Sequence, residues 1–367
     1  MLCAVRCRHA FETVCVHANG DVVCSILDGR GDFVLGNVHE QSVGEIFHGP
    51  RYLELRRLVL STADTYCRAI GKHCPLKTTA VAPGEEVTAP DIRFLQVEPT
   101  TACDLRCLSC PVRDFDRSIG WRDAYRDGGV AFMAWDATRR LKQHGVDALR
   151  QHLPRLIPTV TPDSSRTAAA FLRGRVPRSR TGTLPLETLR RVLDDVGSAV
   201  ERVDFYNYGE PFLYRHLVAG LRHARRVLPR ATLAISTDGL QVRPPVEDEI
   251  VDERLLDWLI FSIDGSDRES YARYRIRGDF QKGIDNLARV RKKAEGSGLK
   301  VVWQYVVFSW NDRDSHLRRA IEMAGDIAVP IWFDFARSTW GRSRRTRAGL
   351  EYLIPFLKPE TDLPTWN

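Results

Sequence analysis

Glu98-Pro99-Thr100-Thr101-Ala102-Cys103-Asp104-Leu105-Arg106-Cys107-Leu108-Ser109-Cys110 follows the apolar run of residues 92–97, and this junction decides how the rest of the chain reads. A β-rich run that ends in a polar, thiol-bearing loop marks the carboxyl end of a strand, where parallel α/β folds collect their functional residues. Three thiols at C-x3-C-x2-C spacing can wrap one iron–sulfur cubane. A 4Fe-4S cluster takes four ligands, so with no fourth cysteine nearby one iron is left open to a small molecule. A zinc site is the alternative, and Zn²⁺ would need a fourth ligand to close its tetrahedron.

From residue 92 onward, short β-rich runs alternate with amphipathic stretches, the pattern of a parallel sheet with crossover helices. Strands are predicted over 92–97, 202–207, 232–236, 258–263, 301–308 and 329–335, and helices over 186–196, 213–227, 280–295 and 314–323. These units predict an α/β fold, an open, partial (β/α)6 barrel. The polar punctuation falls at strand ends. The second strand runs into Asn207-Tyr208-Gly209-Glu210-Pro211, the third into Ser236-Thr237-Asp238-Gly239, the fourth into Ser262-Ile263-Asp264-Gly265 and the fifth into Ser309-Trp310-Asn311. All would face one mouth.

The chain of 367 residues, 43% hydrophobic, is long enough for two domains with ample core. No apolar run approaches the roughly 20 residues that span a bilayer, and the mixed opening Met1-Leu2-Cys3-Ala4-Val5-Arg6-Cys7 does not read as a signal peptide. The expectation is a cytoplasmic protein. All nine cysteines lie within the first 110 residues. A large core in a reducing compartment favours metal ligation over disulfides for them. Residues 112–182 carry 14 Lys and Arg against 7 acids, an excess equal to the net charge of +7. Such a segment, a basic insertion over 112–183, attracts an anionic partner or is simply solvated. It lacks the like-charge blocks and aromatic interleaving of a nucleic-acid surface, so nucleic acid is not the expected partner.

Residues 1–85 carry the other six cysteines and end in a linker around Pro83-Gly84. Alternation on either side of Asn19-Gly20 predicts a β-hairpin with a tight turn, which would bring Cys7 and Cys24 together at its open end. A helix is predicted from Val43 through Leu60, followed by Cys67 and Cys74. Hairpin, helix and cysteine pair would close four thiolates, Cys7, Cys24, Cys67 and Cys74, around a second cubane, with zinc again the alternative. Cys3 and Cys15 are then spare. A free cysteine is usually a small buried hydrophobe, and a thiol near a radical can also return a hydrogen atom.

The triplet, the Gly-Glu-Pro turn and the two strand-end Ser-x-Asp-Gly motifs, in this order, resemble the radical S-adenosylmethionine (SAM) superfamily over about residues 92–338. The N-terminal segment resembles that superfamily's SPASM or twitch auxiliary-cluster modules, which usually follow the barrel and here precede it. The resemblance implies two domains, 1–85 and 86–367, and two 4Fe-4S clusters. Cys103, Cys107 and Cys110 would hold three irons of one cluster, and SAM would chelate its fourth. It implies reductive cleavage of SAM to a 5′-deoxyadenosyl radical that removes a substrate hydrogen. Tyr208, Gly209 and Glu210 would hold the SAM amino group, Ser236 and Ser262 would lie near its ribose and carboxylate, Arg275 would meet its carboxylate, and Asp238 and Asp264 would be ribose contacts or simply turn formers. The residue before the last cysteine is Ser109 rather than an aromatic, so the adenine contact is expected from the fifth strand, at Trp303, Tyr305 or Val307, with Gln304 of that strand a further cofactor contact.

Implied substrates are small molecules, oligosaccharides or peptides of natural-product (antibiotic) biosynthesis, and the implied electron donor is a flavodoxin or ferredoxin. The spare thiols favour an epimerase with Cys15 or Cys3 as hydrogen donor. An alcohol dehydrogenase or peptide cross-linking enzyme using the auxiliary cluster is the alternative, and a zinc-containing nucleic-acid-binding protein the alternative of another class.

Overall fold

The computed structural model describes residues 4–25, 28, 31, 34–61, 77–81, 91–108, 110, 181–336, 341–345 and 350–357. In chain order the elements are β1 (Ala4–Cys7), α1 (Arg8–Glu12), β2 (Thr13–Val16), β3 (Asp21–Val23), β4 (Val34–Asn37), α2 (Val43–Phe47), α3 (Pro50–Ser61), β5 (Lys77–Val81), β6 (Phe94–Val97) and α4 (Leu186–Asp195). They continue as β7 (Arg202–Asp204), α5 (Leu217–Val227), β8 (Thr232–Thr237), α6 (Val246–Asp252), β9 (Trp258–Ser262), α7 (Arg268–Ala272), α8 (Phe280–Lys293), β10 (Lys300–Val307), α9 (Asp314–Asp326) and β11 (Ile331–Phe335). Cys3, Cys67, Cys74, Ser109 and nearly all of the basic segment lie outside the described residues.

Among the described residues nine strands form one sheet in the order β11-β10-β9-β8-β7-β6-β2-β3-β4. From β6 to β11 each strand lies parallel beside its predecessor in the chain, the singly wound order of a (β/α)6 unit. The N-terminal hairpin extends this sheet. Its β2 pairs parallel with β6 in the register Cys15 to Gln96, and β3 and β4 follow antiparallel. β1 and β5 form a separate antiparallel pair.

Successive side chains of a strand point to opposite faces of its sheet, and here the two faces differ in chemistry. Val14 and Val16, Leu95 and Val97, Leu233 and Ile235, and Trp303 and Tyr305 join one continuous apolar core with α4, α5, α8 and α9. The alternate positions, Cys15, Gln96, Asp204, Ser236, Ser262 and Gln304, lie on the other face and are outside that core cluster. Parallel strands covered on both sides normally read as unbroken apolar runs. A polar second face therefore marks a lumen built for something other than helix packing.

Local chemistry explains where the observed elements depart from expectation. The predicted helix through Leu60 is two helices. Ser42 and Glu45 form a capping box that starts α2. Gly49 and Pro50 end it and begin α3, since proline has no N–H to continue a helix but is suited to a first position. The hairpin turn spans His17 to Gly20 rather than two residues. Asn19 bonds Asp21 through both its amide groups, and Gly20 has φ +84°, the left-handed region, with the His39 ring lying where a Cβ would be. The helix predicted from 213 begins at Leu217, because the Glu210 carboxylate caps a separate short turn, Pro211–Leu213.

Candidate active site

The triplet leaves β6 as expected, and buried polar contacts fix its loop. Glu98, fully buried at the end of β6, accepts from the Ala18 amide of the hairpin turn at 3.2 Å and the Tyr208 amide beyond β7 at 3.1 Å. One carboxylate thus joins the N-terminal hairpin, the cysteine strand and the Gly-Glu-Pro turn. Gly209 packs onto the cysteine loop so closely that a Cβ would run into the Thr100 carbonyl, and the Glu210 amide donates to the Ala102 carbonyl at 2.8 Å. On the opposite side, the amides of Arg106 and Leu108 donate to the carbonyls of Ile276 and Tyr274 at 3.0 and 3.3 Å.

Cys103, Cys107 and Cys110 gather in a small apolar cluster with Leu105, Leu240 and Tyr274, apart from the main core. Burial pushes the Cys103 thiol well above its ordinary range, with the nearby Asp238 carboxylate adding to the shift. Burial also raises the Cys107 thiol, while the Arg275 guanidinium pulls it down. Cys103 and Cys107 therefore need positive charge to ionise, which iron would supply. Three convergent thiols in an apolar shell fit three corners of a cubane.

Beside the thiols lies a buried acidic face. Glu210 accepts from the Phe212 amide at 3.0 Å, the Thr237 hydroxyl at 2.8 Å and the Asp238 amide at 2.8 Å. Burial nevertheless lifts its carboxyl to about 7. Asp238 rises well above the carboxylate range, first through burial and then through Glu210. One Asp238 oxygen accepts from the Leu240 amide at 2.9 Å, whereas Oδ2 is buried without a hydrogen-bond partner. Asp104 takes Gln241 Nε2 at 2.5 Å on Oδ2, and its Oδ1 is likewise buried and unmatched. Ligand atoms of Cys103, Asp104 and Asp238 lie within 4.8 Å of one another. Asp104 and Asp238 lie close enough to share one proton through these oxygens, and a cation in place of that proton would pair both carboxylates, which the ammonium or sulfonium group of SAM would supply.

Arg275 sits across the loop. Its Nε donates to Asp264 Oδ2 at 2.6 Å and its Nη1 to Cys107 Sγ at 3.7 Å. The Ser236 and Ser262 hydroxyls meet at 3.3 Å on the polar sheet face. Gln304 shares that face, paired in register with Ser262. Val307, Trp303 and Tyr305 do not: all three are buried in the helix-facing core, with Trp303 Nε1 bonded to the Ile263 carbonyl and Tyr305 Oη to the Asn311 carbonyl. The expectation that one of these three meets an adenine in the lumen is thereby corrected, the two-residue period of β10 having turned them away. The aromatic side chain that packs on the cysteine loop is Tyr274, with Phe308 against it at 4.5 Å between ring centroids.

Cys15 is fully buried on the polar face, with Sγ 3.7 Å from Gln96 Oε1, and Gln96 in turn donates to the Tyr206 carbonyl at 2.8 Å. Cys7 closes β1, and Cys24 is half-buried against the main core. One residue lacked a signal in the sequence. Asn207 follows β7 just before the Gly-Glu-Pro turn, and both its amide atoms are buried without a hydrogen-bond partner. An asparagine in a turn is ordinary sequence, and only the packing reveals that its amide is unused.

Residues 7–75 match the family model SPASM, an iron-sulfur cluster-binding domain. No curated protein matches the chain. Among solved structures it is similar to BtrN in complex with AdoMet and 2-DOIA, at 18% identity over 58% of this chain and 56% of that one, with a TM-score of 0.29. It is also similar to native anSMEcpe with bound AdoMet, at 14% identity over 68% and 55% with a TM-score of 0.38. A third is methylornithine synthase (PylB), at 12% identity over 87% and 66% with a TM-score of 0.39. The chain thus spans 55–66% of the length of these structures. Among the described residues no helix is long and apolar enough to cross a membrane.

Proposed function

We propose that this chain is a two-cluster radical SAM enzyme that inverts a carbon centre of a sugar-containing or peptide substrate, with domains at 1–85 and 86–367. The observation that carries the reading is the convergence of three thiols with a buried, cation-seeking acidic face at the ends of β6, β7 and β8. A 4Fe-4S cluster and SAM held there would supply one-electron chemistry able to remove a hydrogen atom from carbon.

Cys103, Cys107 and Cys110 would hold the cluster, with SAM bound beside it. Asp104, Asp238 and Glu210 receive the positive end of SAM, and Gly209 lets the backbone come close enough for them to do so. Ser236 and Ser262 meet the ribose from the polar face, where Gln304 is also available, and Tyr274 lies where an adenine can rest. In the SPASM-matching segment, Cys7, Cys24, Cys67 and Cys74 hold the second cluster.

Cys15 supports inversion over oxidation. Its thiol lies on the polar face, beside Gln96, rather than in the core with Val14 and Val16. It gives its S–H hydrogen to the substrate radical and regains a thiol by taking one electron and one proton, the electron coming from a flavodoxin- or ferredoxin-type donor by way of the N-terminal segment. The second reading, dehydrogenation of a secondary alcohol, draws support from the SPASM match itself, since a second cluster can take an electron from a substrate radical.

Anaerobic incubation with SAM and dithionite, followed by chromatography, tests the proposal. 5′-Deoxyadenosine is expected from the native chain and not from Cys103→Ala. Its absence from protein carrying about eight irons per chain would overturn the assignment.

A further inference from the structure

Arg275 stands apart among the polar residues of the mouth because it touches a thiol of the triplet. Its guanidinium is held at both ends. Nε is bonded to Asp264 Oδ2 at 2.6 Å and Nη1 to Cys107 Sγ at 3.7 Å, while the plane lies near the Tyr274 ring, 5.4 Å from its centroid. Asp264 is itself immobile: it is fully buried, its Oδ1 accepts from the Val306 amide at 2.8 Å, and its carbonyl accepts from Asn311 Nδ2 at 3.1 Å.

The backbone around Arg275 is bonded to the cysteine loop from both sides. Its own amide donates to the Tyr271 carbonyl at 3.0 Å, and its neighbours Tyr274 and Ile276 receive the amides of Leu108 and Arg106. Arg275 is thus tied by side chain and flanking backbone to the loop that carries the three thiols.

A guanidinium so placed does two things to a cluster on those thiols. It donates an N–H to a ligand sulfur, and its positive charge offsets the acids around that site, its own ion-pair partner Asp264 as well as Asp104, Glu210 and Asp238. Both favour the reduced, more negative form, and hydrogen bonding to sulfur is among the terms that set iron–sulfur potentials. We propose that Arg275 is a positioning residue for the metal centre: through Cys107 it raises the reduction potential of the cluster held by the triplet, in addition to any contact it makes with SAM. The inference rests on the cluster reading given above.

The test is a redox titration followed by electron paramagnetic resonance, on the full chain without SAM. It monitors the signal that disappears when Cys103, Cys107 and Cys110 are all replaced by Ala. Arg275→Met is expected to shift the midpoint of that signal to a more negative potential. Arg275→Lys, which keeps the charge on an arm without the forked donor, should fall between Met and native. A native midpoint in both variants, with iron content unchanged, would overturn the proposal and leave Arg275 a SAM contact only. Should Arg275→Met fail to assemble its cluster, Arg275→Lys and Arg275→Gln decide by the same criterion. Failure of the cluster reading itself looks different: the triple Ala variant would then keep all the iron of the native chain.

Discussion

Gly209 lies directly against the Thr100 carbonyl, with no room for a Cβ between the two strand-end loops. This contact sets the distance between the thiols leaving β6 and the carboxylate of Glu210 leaving β7. Gly209→Ala must push one loop away and is expected to cost about 1–3 kcal/mol of stability, together with a loss of iron from the triplet. Gly44 is the control. It lies in α2 with nothing within 4 Å of its would-be Cβ, so Gly44→Ala should leave iron content unchanged and raise stability by up to about 1 kcal/mol. Thermal unfolding with parallel iron analysis reads both.

Asn207 leads to an opposite expectation. A buried amide without partners costs the fold about 1–3 kcal/mol relative to a satisfied one. Asn207→Ala is therefore expected to raise the urea midpoint of the ligand-free chain and at the same time weaken SAM binding, measured by calorimetry. Lower stability, or undiminished SAM affinity, would show that the amide is not reserved for a ligand.

Glu210 gives the ligand-free protein a distinctive pH dependence. Its folded pKa of about 7 lies above the ordinary glutamate value of 4.5, so the folded state binds its proton more tightly than the unfolded state. Stability from this group is fully present below about pH 4.5 and is lost as pH rises through about 7. Glu210→Gln should flatten that part of the profile, read as the difference between the urea midpoints of the two proteins at pH 5.5 and 8. A difference that does not change with pH would contradict the assignment.

Cys15 and Val16 are neighbours on β2 that face opposite sides of the sheet. Product formed in heavy water should carry one deuterium at the altered carbon, and Cys15→Ala should abolish that label at a stability cost of about 1 kcal/mol. Val16→Ala should cost more, roughly 2 kcal/mol for its core position, yet leave the label in place. An unlabelled product from the native chain would favour dehydrogenation, and mass spectrometry distinguishes the two.

Much of this arrangement was legible in the chain. The strands at β6 to β11 follow from short apolar runs, four of which (β6 to β9) end at or within two residues of an acid, and the observed ends differ from the predicted ones by no more than three residues. The triplet stood out through its spacing together with its place at the end of an apolar run and the ordered motifs that follow it. What the sequence left hidden depends on contacts between distant segments. Parallel pairing of β2 with β6 joins residues about 80 apart, and no local pattern encodes it. The orientation of β10 was open because Trp303, Gln304, Tyr305 and Val307 are all plausible pocket residues by type. Only the register with Ser262, which places Gln304 on the polar face, settles which of them look inward. Arg275 was expected at a carboxylate. Its contact with Cys107 became visible only once α7 and the cysteine loop were brought together.

The most direct test of the account is the magnetic resonance signal of the dithionite-reduced, anaerobically reconstituted chain before and after addition of SAM. The account predicts about eight irons per chain and two overlapping signals, of which SAM changes only the one that is lost when Cys103, Cys107 and Cys110 are replaced by Ala. Bound zinc with no visible absorbance, or a triplet signal indifferent to SAM, would contradict it.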